Sequence, residues 1–253
     1  MRVIGVPAGA LDLDDPHRVG WQRALAHAAS VARLVPVDVS ALLAAGRLLY
    51  DGPFVAERLS AFGQLLHPDG PHLDPTVRGI VLRATTLTAA DVFDGLHRLA
   101  ELRRLAEAVF VSADAVLLPV TPGHPTIAEV AADPVGVSSR LGTYTNMVNL
   151  LDLCAVAVPA GERPDGLPFG VQLLAPAFAD APLLDLAARW CGEPTAAGPA
   201  PAHDALPHRG PVELDDGAVV TGFLAEPAGL GPAEDITRYG GWRAYLADGH
   251  PPG

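Results

Sequence analysis

The stretch from RVIGVP (Arg2–Pro7) to LVPVDVS (Leu34–Ser40) decides the fold class. RVIGVP is a short β run ended by Pro7 and Gly9. Asp15-Pro16 then opens a helix, with Asp15 as N-cap and Pro16 in the first turn, where a missing N–H costs nothing. Apolar positions Val19, Leu25 and Ala29 through Val31 carry that helix to about Leu34. LVPVDVS alternates apolar and polar residues, the period of a half-buried strand. A β–α–β opening favours a parallel or mixed sheet, because a crossover helix returns the chain to the same edge.

The rest of the chain continues the α/β pattern. Ser40 is expected to cap a helix, ALLAAGRLLY, that ends near Tyr50, broken by Asp51-Gly52-Pro53. A helix from Pro53 to about Leu66 follows, then a His67-Pro-Asp-Gly-Pro loop and a helical start at Asp74-Pro75. Thr88 caps a long helix from Ala89 to about Phe110, with Leu96, Leu99, Leu102 and Val109 at helical spacing. Asp114–Pro119 is a continuous apolar run and so a buried strand. Thr121–Arg140 reads as a proline-rich loop and Leu141–Leu153 as a helix. Ala155–Pro159 and Phe169–Leu174 read as core strands joined by a polar turn, and Asp180–Trp190 as a closing helix. A Pro/Ala/Gly-rich linker precedes a hairpin in Val212–Glu226, centred on Asp216-Gly217. There is no internal repeat.

Composition narrows the function. The 253 residues carry a net charge of −12 and their 17 basic residues are all arginine, so there is no lysine. Phosphate-neutralising clusters are missing, which argues against nucleic acid. No apolar run reaches the roughly 18–20 residues that span a bilayer, so no membrane association is expected. Nor does the N-terminus carry the longer apolar segment and cleavage site of a secretory signal. Cys154 and Cys191 sit in apolar or helical surroundings and read as reduced, inert thiols, which implies a cytoplasmic location. Nine histidines are scattered without H-E-x-x-H or C-x-x-C spacing, so no metal is expected. No G-x-S-x-G elbow is present, and the glycine pairs lack the strand–turn–helix setting of a dinucleotide site, so no cofactor is expected.

Tyr50 and Arg58 are the leading site residues. In the Pro53–Leu66 helix, Phe54, Arg58, Phe62 and Leu65 fall on one stripe, which places Arg58 among apolar residues. A guanidinium there needs an anion, and its planar fork matches a carboxylate. Tyr50, at the end of the preceding helix, adds a phenolic donor at the same corner. The competing reading pairs Arg58 with Glu57 or another internal acid and leaves Tyr50 as packing. Ser138-Ser139 has no Gly-rich turn and is expected to cap the helix beginning at Leu141. Asn146 and Asn149 either line the floor of a substrate cavity or satisfy buried backbone groups. Trp242, Tyr245 and Leu246 form one apolar face near the C-terminus.

Three segments carry a family resemblance: LLYDGPFVAER (Leu48–Arg58); LGTYTNMVNLLDLCAVAVPAG (Leu141–Gly161) with DGLPFGVQLLAPAFAD (Asp165–Asp180); and GFLAEP…GPAEDITRYGGWRAYLA (Gly222–Ala247). They resemble the allophanate hydrolases of the amidase-signature superfamily. The resemblance implies a partial amidase-signature α/β fold, a mixed sheet flanked by helices, with a small β-rich C-terminal appendage. The expected division is residues 1–191 for the second half of an amidase domain, 192–211 for the linker, and 212–253 for a remnant of the family's C-terminal domain.

The resemblance also implies hydrolysis of allophanate to ammonia and carbon dioxide in urea degradation, by a Lys–Ser–Ser triad with its serines in a Gly/Ser-rich loop. This sequence has neither the lysine nor that loop, so the expectation is a fragment with no catalytic residues of its own. It retains Tyr50 and Arg58, which at the matching positions of the family bind the substrate carboxylate. The alternatives are a complementing subunit of a split amidase and a non-catalytic binder of small carboxylates. Expected partners are a small carboxylate substrate or analogue, a separately encoded N-terminal amidase half, and a further copy of the chain in a homo-oligomer.

Overall fold

The computed structural model describes residues 1–66, 74–192, 208–213 and 219–224. The chain divides into two compact units, Met1–Thr195 and Ala196–Gly253.

The first unit opens with β1 (Val3–Pro7), α1 (Asp15–Val31) and β2 (Arg33–Val37). β1 and β2 are parallel, with Val3 opposite Arg33 and Pro7 opposite Val37, as the β–α–β reading requires. The details of α1 differ from expectation. Asp14, not Asp15, is the N-cap, because its carboxylate accepts the His17 N–H at 2.7 Å. The buried face is His17, Gly20, Trp21, Ala24 and Ala28, whereas Val19 is 40% exposed. Gly20, Ala24 and Ala28 on this face let the helix lie close to the sheet.

Next come α2 (Ser40–Asp51), α3 (Val55–Phe62), α4 (Pro75–Leu82), α5 (Ala89–Glu107) and α6 (Val109–Ser112). Val39, rather than Ser40, occupies the N-cap of α2, and the Asp38 carboxylate accepts the Ser40 N–H at 2.8 Å instead. The expected Pro53–Leu66 helix is shorter: α3 gives way to a 3-10 turn over Gly63–Leu66, and Phe62 is 50% exposed. The Asp74 cap and the Thr88–Asp91 capping box form as their sequences require. The His67 loop lies outside the described residues.

β3 (Ala115–Pro119) is buried throughout. It lies between β1, to which it is parallel, and the antiparallel β5. Two helices then replace the expected loop: α7 (Ile127–Ala132), with a Thr126–Glu129 capping box, and α8 (Pro134–Leu141), capped by Asp133. Pro134 sits in the first turn of α8, where proline is tolerated. Ser138 and Ser139 therefore lie inside α8 and cap nothing. The expected Leu141–Leu153 helix contracts to one turn, α9 (Met147–Leu150). The Tyr144 carbonyl accepts from the buried Gln172 side chain, and the Val148 N–H bonds to the Thr145 carbonyl instead of that of Tyr144.

β4 (Leu153–Glu162), β5 (Pro168–Pro176) and α10 (Asp180–Cys191) complete the unit. The sheet order is β2-β1-β3-β5-β4, with an antiparallel β4–β5 pair. α1 and α10 pack on β4 and β5, while α2 packs against α5 and α9. Phe169, and Val171 through Ala175, are buried, so β5 is covered on both faces and forms the middle of the core with β3.

In the second unit β6 (His208–Glu213) and β7 (Val219–Leu224) form an antiparallel pair, with His208 opposite Leu224. β6 starts inside the stretch whose composition reads as linker. The Asp216-Gly217 turn and the Trp242 face lie outside the described residues.

Candidate functional site

The Gly52–Phe54 corner folds α3 back toward the end of α2. It brings the two leading residues together: the guanidinium carbon of Arg58 lies 4.9 Å from the centre of the Tyr50 ring. Arg58 Nη1 donates to the Leu49 carbonyl at 3.3 Å. The cation over the ring is held by its quadrupole, worth roughly 0.5–1 kcal/mol where solvent is near. No Arg58–Glu57 pair occurs among the described residues, and Glu57 is exposed. Arg58 is half-buried rather than set in a buried apolar stripe, because the end of that stripe at Phe62 faces solvent.

Tyr50 lines two hollows. The larger, about 410 Å³, is also formed by Asp74, Thr76, Ile80, Ser138, Ser139 and Asn146. The smaller, about 220 Å³, includes Gly46, Arg47, Ser139, Thr143 and Asn146. Asn149 is exposed and belongs to neither lining. Arg58 lies over the Tyr50 ring and lines neither hollow. Arg83 donates to the Tyr50 carbonyl at 3.4 Å. Arg58 over the ring, Arg83 at the Tyr50 carbonyl and Arg47 in the wall of the smaller hollow give this corner a local positive charge although the chain as a whole is acidic. Asp74 lines the larger hollow as well. The Val77 and Thr76 backbone N–H groups hold its carboxyl below the ordinary range, so it is ionised at neutral pH.

The segment that carries Asn146 is anchored from below. Tyr144 is 1% exposed and donates its hydroxyl to the Asp12 carbonyl at 3.0 Å. Gln172 on β5 donates to the carbonyls of both Tyr144 and Pro119.

A second polar cluster has no signal in the local sequence. His17 is 1% exposed, and its Nδ1 lies 2.7 Å from Asp14 Oδ1 and 2.9 Å from Arg163 Nη1. Arg163 grips Asp165 through two bonds, at 3.1 and 2.7 Å. The His124 ring stands edge-on to His17 at 4.8 Å. Burial pushes His17 below its ordinary range, against the pull of Asp14. Burial would raise Asp14, but its hydrogen bonds with His17 and the nearby positive charge bring it below the usual carboxylate range. The cluster ties the start of α1 to the β4–β5 turn. Its members come from residues 14, 17, 124, 163 and 165, so only the fold assembles it.

Among the described residues no group of three or more His, Cys, Asp or Glu is placed to hold a metal, and no helix is long and apolar enough to cross a membrane. Cys154 and Cys191 are free.

Comparison with known proteins fits this geometry. Residues 67–184 match the Amidase family, and residues 204–247 match the Allophanate hydrolase C-terminal domain. The chain is 45% identical to the urea amidolyase of Lachancea kluyveri over 161 residues, covering 63% of this chain and 9% of that protein. It is 44% identical to the urea amidolyase of Saccharomyces cerevisiae over 165 residues, again 9% of that protein. The chain therefore spans about a tenth of the length of these relatives. The allophanate hydrolase structure of Kluyveromyces lactis superposes with a TM-score of 0.72 at 26% identity, covering 98% of this chain and 58% of that one. The five-stranded mixed sheet flanked by helices is thus the fold seen in amidase-signature enzymes, and residues 67–184 are similar to the Amidase family. Tyr50 and Arg58 lie just before the stretch that matches the Amidase family, on the corner that delivers the chain into it.

Proposed function

We propose that this chain binds a small carboxylate at the Tyr50–Arg58 corner and is the substrate-positioning part of an allophanate-hydrolysing amidase. The observation that carries the reading is the Tyr50 ring, which lines two adjoining hollows and holds the Arg58 guanidinium at 4.9 Å. A carboxylate entering beside the phenol accepts its O–H. Arg58 reaches the same anion by rotating on its flexible stem away from the Leu49 carbonyl.

These 253 residues hold no lysine, so the Lys–Ser–Ser chemistry has no base among them. On this reading the purified chain does not turn over allophanate, and a separately encoded amidase half carrying the lysine and the Gly/Ser loop completes the site. A cytoplasmic location belongs to the same reading and is supported by the two free cysteines.

Isothermal titration of the purified chain with malonate tests the binding claim. Saturable binding that is lost in the Arg58→Ala variant is expected. A flat titration, or one unchanged by that substitution, would reject it. Release of ammonia from allophanate by the chain alone would reject the division of labour.

A further inference from the structure

We propose that two copies of this chain pair edge to edge through β4, about a two-fold axis at Ala155. The inference stands apart from the carboxylate reading, since no residue of the Tyr50 corner takes part.

β2 and β4 are the two edges of the sheet. Edge strands usually carry charges or proline, which discourage pairing with another chain. β2 does so: Arg33 and Pro36 are exposed along its five residues. β4 does not. From Leu153 to Ala160 it holds no charged residue, and Ala155 and Ala157 are exposed.

The register tells which backbone groups of β4 are free. The Val120 N–H bonds to the Gly170 carbonyl, so Gly170 turns its polar groups toward β3. Along an antiparallel strand these directions alternate. Gln172 and Leu174 therefore also face β3. Val171, Leu173 and Ala175 face β4, where they meet Val158, Val156 and Cys154. Leu153, Ala155, Ala157 and Pro159 are left to face the open side. Pro159 has no N–H to give, and its carbonyl already accepts from Trp190 Nε1 at 2.7 Å. No other hydrogen bond among the described residues reaches this side of the strand at Leu153, Ala155 or Ala157.

These free groups complement themselves. In antiparallel order, with Ala155 opposite its own counterpart, Leu153 meets Ala157 and Ala157 meets Leu153. That gives about six main-chain hydrogen bonds and uses every free N–H and C=O before Pro159. A shift by one pair loses bonds in either direction. One shift sets Leu153 against Pro159, and the other sets Ala157 against Leu151, which precedes the strand.

The charges at the two ends of β4 select a second copy as the occupant. Exposed Arg103 donates to the Leu150 carbonyl at 3.0 Å, beside the start of β4, and Asp152 is exposed at the same end. At the other end Glu162 is exposed, and Arg23 donates to its carbonyl at 3.1 Å. A two-fold axis brings the first end of each copy to the second end of the other. Arg103 then approaches Glu162 and Asp152 approaches Arg23, and both encounters occur twice. The interface is isologous, and two five-stranded sheets become one.

Sedimentation velocity of the whole chain over a dilution series tests the inference. A reversible monomer–dimer equilibrium is expected. Ala155→Lys sets two like charges opposite each other at the axis and should weaken the dimer by about tenfold or more. Its circular dichroism should not change, since residue 155 is exposed. A second variant reads the register and does not depend on the first one folding. Across the axis Cys154 stands opposite Val156, with Cβ atoms about 4.5–5.5 Å apart, within a small shift of disulfide distance. Mild oxidation of Val156→Cys, in a Cys191→Ser background, should therefore join two chains covalently. Adding Cys154→Ser should abolish the bridge. A chain that stays monomeric throughout the series overturns the inference. So does a dimer whose affinity Ala155→Lys leaves unaltered, because it must use another surface. A dimer that never forms the bridge, or forms it without Cys154, overturns the pairing about Ala155.

Discussion

Arg163 Nη1 lies 2.9 Å from His17 Nδ1, and both side chains are buried. His17 Nδ1 is also 2.7 Å from the Asp14 carboxylate. Protonating His17 would set a second positive charge against a guanidinium in a site closed to solvent. The neutral ring is therefore the folded form.

Stability should fall as the solution is acidified. His17 and His124 both lie below their ordinary value of 6.5, with burial as the main cause. An unfolded chain takes up protons near that value, whereas the folded chain takes them up only at lower pH. The unfolded state thus binds more protons in the interval between, and stability drops as pH falls from about 6.5 through the folded values. The melting temperature should be flat from about pH 7.5 to 7 and fall steadily toward pH 5, and His17→Gln should flatten that slope. A melting temperature in the unaltered chain that does not change between these limits would contradict the placement of His17.

Gly20→Ala should destabilise the chain. A Cβ at this position would lie 2.8 Å from Cγ of Phe169, whose ring is 2% exposed and cannot swing away. Alanine gains up to about 1 kcal/mol over glycine within a helix, but overpacking a dense core costs roughly 1–3 kcal/mol, so a net loss is expected. Urea unfolding measures it. Combining the change with Phe169→Leu should recover most of the loss, and a double variant no better than Gly20→Ala would argue against the clash.

Gln172→Leu should cost about 1–3 kcal/mol, because it removes the donor to two buried carbonyls and leaves them unpaired. The same change should weaken malonate binding, since Gln172 holds the Tyr144 turn that leads to Asn146. Thermal denaturation and titration of the one variant check both parts, and a stable protein with unaltered affinity would show that the turn holds itself.

Arg58→Lys should weaken malonate binding by roughly 1–3 kcal/mol, because an ammonium cannot make the forked contact. Tyr50→Phe should cost less, on the order of 1 kcal/mol, for one lost hydrogen bond. Should Arg58→Lys change the melting temperature while malonate affinity stays the same, Arg58 would be a structural cation and nothing more.

The elements legible in the sequence are those whose signal is local and whose residues are spent locally. β1, α1 and β2 announce a β–α–β unit, and the apolar Asp114–Pro119 run is the buried strand β3. Thr88 and Asp74-Pro75 start their helices as written. α7 and α8 were hidden by prolines, although T-I-A-E at Thr126–Glu129 is a capping box and Pro134 occupies a position that helices accept. The 141–153 segment misled in the opposite direction. Its apolar spacing is helical, but Tyr144 points inward and gives its carbonyl to Gln172, a partner far off in sequence. For the site, the Tyr50–Arg58 approach follows from a short corner between two helices. Which wall residues Tyr50 meets depends on α8 and the 142–146 turn, and the His17 cluster on contacts across more than a hundred residues. No local pattern records those.

The register of the sheet also sets an order of assembly. β4 and β5 are joined by a few residues and can zip together at once, and β1, α1 and β2 close over a few dozen. Ile4, however, meets Ala115 across the sheet, so the strand that joins these two pieces must close a loop of about a hundred residues before it is rewarded. Both pieces present their apolar faces to water until β3 arrives. The chain's slowest step and its greatest exposure to misassembly therefore fall on five residues, Ala115–Pro119, that never touch solvent once the work is done.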